Sequence, residues 1–394
     1  MITDLTEGSP SKKLFWFSMP LLLSVAFQQL YQMADSMIVG RFAESAQAGE
    51  LALAAVGASY PITQLFVAVA TGINIGTSVL VSQLFGAKRY LRMKTAISTA
   101  LITTTVVSLL LTLFGAVCTN GLMSALNTSA DIFADASLYL RVYVFGLLFL
   151  FIYNVCTGIF NAMGDSRTPL ILLVLSSVGN VILDMVFVAG LHWGVAGVAW
   201  ATFAAQGAAS VLAFLTLVHR IKQLRSTEPY AKFSAEMLVQ VTIVAIPSIL
   251  QQCFVSVGNL FVQSAVNSYG SAVVAGFSAC QKLNTFAVTC MTTLSNGVSS
   301  FTAQNLGADK KERVSEGFRA GALLGILVCV PFFLFYFFFG RTAMGLFLDE
   351  SSAAAIQAGV DYMHIVTPFY FIVTIKVMCD GVLRGGSAML YFMT

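Results

Sequence analysis

The amino-acid sequence predicts an all-α polytopic membrane protein of two helical bundles, and three observations predict it. Of 394 residues, 57% are hydrophobic and only 10% charged, against roughly 25% charged in ordinary soluble domains. Residues 51–87, 95–130, 185–219 and 237–281 contain no Asp, Glu, Lys or Arg, and each stretch exceeds the roughly 20 apolar residues one helix needs to cross a bilayer. Finally, two segments recur in the same order at nearly the same offset, which is the signature of an internal repeat.

Hydrophobic runs between loop signals place ten crossings. The first, 14–40, follows the acid-bearing MITDLTEGSPSKK and continues into Asp35, unlike a cleaved signal peptide. The second, 51–85, is uncharged, and the third, 94–118, begins after the basic KRYLRMK. The fourth is 136–162; the fifth, 168–190, starts behind GDSRTP with Pro169 at its beginning. A sixth, 194–219, runs into the basic linker HRIKQLRSTEPYAKF (219–233), read as a solvated cytoplasmic loop. The last four are 237–268, 271–305, 317–340 and 359–384. With the N-terminus cytoplasmic, 16 of the 21 basic residues fall in inside segments, only Arg41, Arg141 and Arg341 fall outside, and Lys282 and Lys376 lie within helices. The positive-inside rule therefore predicts an N-in orientation in the cell's inner (plasma) membrane.

The repeat sets Gly76, Gln83, Gly86 and Ala87 of GTSVLVSQLFGAKR on Gly297, Gln304, Gly307 and Ala308 at an offset of 221. A second match, at 223, sets Tyr139 on Tyr362 and GIFNAMG (from Gly158) on GVLRGGS (from Gly381). Each unit would hold six helices, so the expected fold is two six-helix bundles related by a pseudo-two-fold axis along the membrane normal. The expected lobes are 1–228, with six crossings, and 229–394, with four of six. On that spacing the C-terminal lobe is expected to be truncated by roughly 50–60 residues.

Asp35 and Asp184 each lie 15 residues past a proline (Pro20, Pro169) inside an apolar run. A carboxylate in hydrocarbon costs several kcal/mol, so each is a functional-site expectation, for cations or protons. Asn180 shares a helix face with Asp184. Counted from Pro169 at 1.5 Å per residue, Asp184 lies about 22 Å along its helix, and Thr202 about 12 Å down the next one. Carboxylates, an amide oxygen and a hydroxyl suit a hard cation such as Na+, or a proton relay. GINIG (72–76) and GLHWG (190–194) read as close-packing patterns. Lys282, deep in an uncharged stretch, repels or orients cationic cargo, pairs with an acid, or snorkels.

Other classes fit poorly. A net charge of +3 argues against a nucleic-acid partner. The three histidines are not paired at zinc spacing, and the seven scattered cysteines contain no CxxC. No HExxH or activated nucleophile points to an enzyme, and no filter signature points to a channel.

These residues resemble the multidrug and toxic compound extrusion (MATE) family over essentially the whole chain. The landmarks are Pro20, Asp35 and Gly40, GTSVLVSQLFGA, GDSRTP (164–169), NVILD (180–184), GVAGVAWAT (194–202), TAQNLGADKKER (302–313) and VLRGG (382–386). The resemblance implies a monomeric twelve-helix antiporter in the lipid bilayer. It would export amphipathic, often cationic, drug-like small molecules in exchange for Na+ or H+ by alternating access, with no cofactor beyond the coupling ion. It also implies a cation site at Asp35, Asn180, Asp184 and Thr202, joined by Asn154. The branch with a C-lobe acid on the seventh helix is not matched, because PSILQQCFVSV offers Gln251 and Gln252 instead. These two, with Lys282, are the cavity or substrate candidates, and the chain sits nearer the DinF-like branch with its cation site in the N lobe. The alternative within the superfamily is a flippase for lipid-linked saccharides, which favours a strongly cationic cavity; only Lys282 and Lys376 are candidates for one.

Overall fold

The computed structural model describes the backbone of residues 3–41, 46–223, 229–348 and 352–393, and their side chains except at 33–50, 52, 53, 271 and 393. Among the described residues it is helical, with no strand. In chain order the helices are α1 (Pro10–Arg41), α2 (Ala46–Gly86), α3 (Tyr90–Ala125), α4 (Ala130–Phe145), α5 (Leu147–Ala162), α6 (Arg167–Asp184), α7 (Gly194–Gln223), α8 (Ala235–Asn267), α9 (Ser271–Gly307), α10 (Glu312–Phe338), α11 (Gly340–Met344), α12 (Ala353–Val366), α13 (Tyr370–Gly385) and α14 (Met389–Met393). A π-helical segment, Met185–Gly190, extends α6, and a 3₁₀ turn, Thr367–Phe369, joins α12 to α13.

Eight described stretches are long and apolar enough to cross a bilayer, and α4 with α5, bent by 49°, makes a ninth. The sequence predicts ten. The difference is α9, which has the length, at 37 residues, but is dotted with Gln281, Lys282, Asn284, Asn296 and Gln304. It packs against α10, α12 and α13; Gln304 is buried, Asn284 donates to Gln281 at 3.1 Å, and Lys282 and Asn296 remain exposed. The crossing expected as one helix over 136–162 breaks at Gly146, a weak helix former. The one expected at 359–384 starts earlier, at Ala353, and tightens at Pro368, which has no N–H to donate.

The chain forms two compact units. The first comprises Met1–Thr3 and Ala26–Ile249, the second Asp4–Val25 and Leu250–Thr394. These are not the contiguous 1–228 and 229–394 segments expected from the linker: the leading half of α1 belongs to the second unit, and the leading half of α8 to the first. In the first unit α2 is central, packed against α3, α4, α5 and α7. Gly72 and Gly76 let α8 come close: a Cβ on Gly76 would lie 2.5 Å from the Val241 carbonyl oxygen. GINIG is thus a packing motif. GLHWG is not, because Gly194 has open space beside it, and with φ of +53° at Gly194 and +55° at His192 it forms a turn instead.

In the second unit α9 is central, and the amino-terminal segment is bound to its far end. Leu5, fully buried, donates its N–H to the Gln304 side chain at 3.0 Å, and its carbonyl accepts from Asn305 at 3.2 Å. Lys310 donates to the Thr6 carbonyl and Arg313 to that of Gly8, both at 2.9 Å. The TAQNLGADKKER sequence therefore serves as the dock for residues 5–8.

Within each unit the same local devices recur at the repeat offsets. After α2, Lys88 takes φ +56°, with its N–H on Phe85 and that of Arg89 on Leu84; after α9, Asp309 takes φ +57°, with the same pair of bonds to Leu306 and Asn305. After α5, Gly164 (φ +76°) and Asp165 bond to Asn161 and Phe160; after α13, Ser387 (φ +55°) and Ala388 bond to Arg384 and Leu383. A Cβ on Gly158 of α5 would collide with Asn74 of α2, and one on Gly381 of α13 with Ser295 of α9.

Three outcomes follow from this packing. Gly381→Ala places a methyl about 2.5 Å from the Ser295 carbonyl oxygen and is expected to cost about 1–3 kcal/mol. Gly258→Ala, with nothing within 4 Å, should gain about 0.5–1 kcal/mol from helix propensity; thermal unfolding in detergent distinguishes the signs. Arg313→Ala should free the amino-terminal segment, seen as faster amide exchange at residues 5–9 with the α9 core unchanged.

Candidate functional site

The buried face of α6 carries Pro169, Leu172, Ser177, Asn180 and Asp184; the last three, at steps of three and four, form one helical stripe. GDSRTP sets the helix's start. Asp165 accepts from the Thr168 N–H at 3.2 Å and its hydroxyl at 2.8 Å, and lies 3.7 Å from Arg220 at the end of α7. The stripe ends at Asp184, which is 0% exposed and is the last α-helical residue before the π segment. The bond from the Leu191 N–H to the Val186 carbonyl, at 2.9 Å, is the wide i→i−5 type. Such segments widen the helix at the cost of regular pairing and occur often at functional sites.

Asn180, one turn before Asp184, is 6% exposed, and its amide nitrogen has no hydrogen-bond partner among the described residues. The same holds for the Ser177 hydroxyl, buried one turn further back. Buried polar atoms are nearly always paired, so the face of Asp184 carries two spare groups, an amide nitrogen that can only donate and a hydroxyl that can donate or accept. Sequence reasoning missed Ser177, although its spacing of three from Asn180 marks the same face.

α6 packs on α7 and, more lightly, on α5. Thr202 of α7 is half-buried in a narrow cleft lined by Tyr139, Tyr143, Phe203 and Gln206. Asn154 of α5 turns its amide to its own helix, donating to the Leu150 carbonyl at 2.8 Å. Asp35 lies on α1, but its side chain is outside the described residues. Four residues before it on α1, Tyr31 comes within electrostatic reach of Tyr143 on α4 and Tyr153 on α5. Tyr139 and Tyr143 stack at 6.4 Å. The structure therefore packs α6, with Asn180 and Asp184, on α7, and places Asn154 on the neighbouring α5; Thr202 of α7 lies in a cleft whose other walls come from α4, with its phenols, and not from α6.

In the second unit Gln251 reaches the Asp380 carboxylate at 3.5 Å, and Gln252 is half-buried beside it. Lys282 is exposed, its ammonium 5.6 Å from the centre of the Phe347 ring. Asp380 is a third carboxylate within an apolar crossing, beyond the two that sequence reasoning recognised; Lys376, Asp380 and Arg384 at four-residue steps were the available signal. Arg384, read from sequence as a residue of an inside segment, is buried at the end of α13. Among the described residues no three His, Cys, Asp or Glu side chains form a metal cluster.

Comparison with known proteins bears on this arrangement. A family model described as MatE matches residues 20–186 and 247–394. The "Probable multidrug resistance protein YpnP" of Bacillus subtilis is 29% identical over 388 residues, covering 98% of this chain and 85% of that one. A "FAD transporter" of Shewanella oneidensis is 25% identical over 308 residues, 76% of this chain and 66% of that one. A solved outward-facing MATE transporter of the MOP superfamily superposes with a TM-score of 0.90 at 21% identity, over all of this chain and 86% of that one. Since the family model takes in both the stretch holding Asp184 and the stretch holding Asp380, the chain belongs to the MatE family of multispan membrane transporters.

Proposed function

We propose that the chain is a secondary active multidrug efflux antiporter of the plasma membrane, N-terminus inside, exporting amphipathic, often cationic compounds in exchange for Na+ or H+. The observation that carries this reading is Asp184: a carboxylate with no exposure, at an α-to-π junction, beside the spare polar groups of Asn180 and Ser177. A buried carboxylate is costly, and what keeps it there is a gain in binding a proton or cation. Asp35 supplies the second carboxylate of the coupling site, with Asn180, Thr202 and Asn154 as oxygen donors. The name of the multidrug-resistance relative supports drug-like cargo, and both relatives' names support small-molecule transport.

Antiport needs the coupling ion and cargo to disfavour each other. By linkage, an effect of one on the other's affinity is matched in reverse. Pro20 leaves α1 a place to bend, so binding at Asp35 would be read out through a bend of α1.

The test is efflux of a fluorescent cation from proteoliposomes under separate Na+ and H+ gradients. Asp184→Asn and Asp35→Asn each keep side-chain shape but remove the ionising group. Each is expected to lower gradient-driven efflux about tenfold or more, the scale of a coupling energy of about 1–3 kcal/mol, with thermal stability nearly unchanged. Wild-type efflux in either variant would remove that residue from the coupling site. Drug affinity measured across pH and Na+ concentration should vary in the wild type and flatten in both variants; a wild-type affinity indifferent to both ions defeats the antiport reading.

A further inference from the structure

We infer that the second unit carries an anion subsite on α13, built from Lys376, Asp380 and Arg384, that takes the carboxylate or phosphate of an amphipathic molecule. The three residues stand at steps of four and so share one helix face. Lys376 Nζ lies 2.6 Å from Asp380 Oδ2, Arg384 Nη2 lies 3.9 Å from the same oxygen, and Gln251 Nε2 approaches it at 3.5 Å. Asp380 and Arg384 are almost wholly buried, with side chains 9% and 5% exposed, whereas that of Lys376 is 58% exposed.

Two cations thus share one carboxylate. Among the described residues no second carboxylate lies within ion-pair distance of either. Arg384 is fixed behind the pair: Nη1 reaches Asn296 Oδ1 at 3.4 Å, the guanidinium lies 5.1 Å from the centre of the Phe392 ring, and Nε is buried without a hydrogen-bond partner. A buried guanidinium whose partner is already engaged at shorter range by another cation is left undercompensated. The net charge of the cluster is one positive, and Lys376 is where it meets the outside. In low dielectric that charge attracts an anion strongly and repels a cation.

The internal repeat makes the cluster specific to this unit. At the offset of 223 the counterparts of Lys376, Asp380 and Arg384 are Tyr153, Thr157 and Asn161, all uncharged. The backbone around them is matched, by Gly158 with Gly381 and by the turns at Gly164 and Ser387. The charges are an addition to the shared scaffold, and their placement has no counterpart in packing.

The subsite is tested by equilibrium binding without any gradient, so its outcome is independent of the antiport reading. The full chain is placed in nanodiscs of neutral phosphatidylcholine and titrated with dansylated undecanoate and, separately, its methyl ester, which differs only in lacking the charge. The acid is expected to bind about tenfold tighter than the ester, worth about 1.4 kcal/mol. Lys376→Gln should abolish the preference at unchanged thermal stability, and Lys376→Arg should retain it. A second arm adds phosphatidylglycerol to the discs. If wild-type affinity for the acid then falls while that of Lys376→Gln does not, lipid phosphate occupies the same subsite; if neither changes, the occupant is the free amphiphile. Equal binding of acid and ester, no binding of either, or a preference that survives in Lys376→Gln would each overturn the proposal.

Discussion

The fold rests on close backbone approach between a central helix and its neighbour in each unit, α2 with α5 and α9 with α13. In a bilayer, lipid is as apolar as leucine, so helices gain little from hiding hydrophobic surface from one another; they associate where small residues allow contact over a long interface. Gly158 presses on Asn74, and Gly381 on Ser295, whose hydroxyl donates in turn to the Val377 carbonyl. Gly385 repeats the device one turn later against Ser299 and Thr302. These contacts fix the rotation of α5 and α13 about their axes. The polar residues under discussion are set by that rotation: Asn154 is one turn before Gly158, and Asp380 is the residue next to Gly381.

A second constraint concerns α1 and α8. Each is a continuous helix whose leading half belongs to one compact unit and whose trailing half belongs to the other, the divisions falling after Val25 and after Ile249. Each carries a proline shortly before its division, Pro20 and Pro247. A proline removes one helical hydrogen bond and crowds the preceding turn, which lowers the cost of bending there. The two helices therefore hold their softest points near where their allegiance changes, and on α1 that point lies upstream of Asp35.

Much of this was legible in the sequence because membrane burial leaves coarse signals. Charge-free stretches gave the crossings, and paired landmarks gave the repeat, whose left-handed residues Lys88 and Asp309 then coincide at the offset of 221. What escaped followed from finer physics. The break at Gly146 depends on how α4 and α5 pack separately. The halves of α1 and α8 are exchanged between units by contacts far apart in sequence. In the site, Asp184 and Asn180 stood out as polar groups in an apolar run, but Ser177 is too common in membrane helices to be noticed alone. Asp380 escaped although it falls inside the crossing expected over 359–384, because it stands between Lys376 and Arg384 and so does not appear as a lone charge in an apolar run.

The two units thus diverge where backbone packing does not constrain them. The turns after α2 and α9, the turns after α5 and α13, and the glycine contacts keep their geometry across the repeat, since a misplaced turn or an added methyl is costly in either unit. The polar side chains are freer, and they differ between the units. The first unit buries Asp184, Asn180 and Ser177 on α6. The second gathers a lysine and an arginine around one carboxylate, with a positive balance. A scaffold of this kind changes its side-chain charge between equivalent helices without altering either backbone: the face that carries Lys376, Asp380 and Arg384 on α13 carries Tyr153, Thr157 and Asn161 on α5.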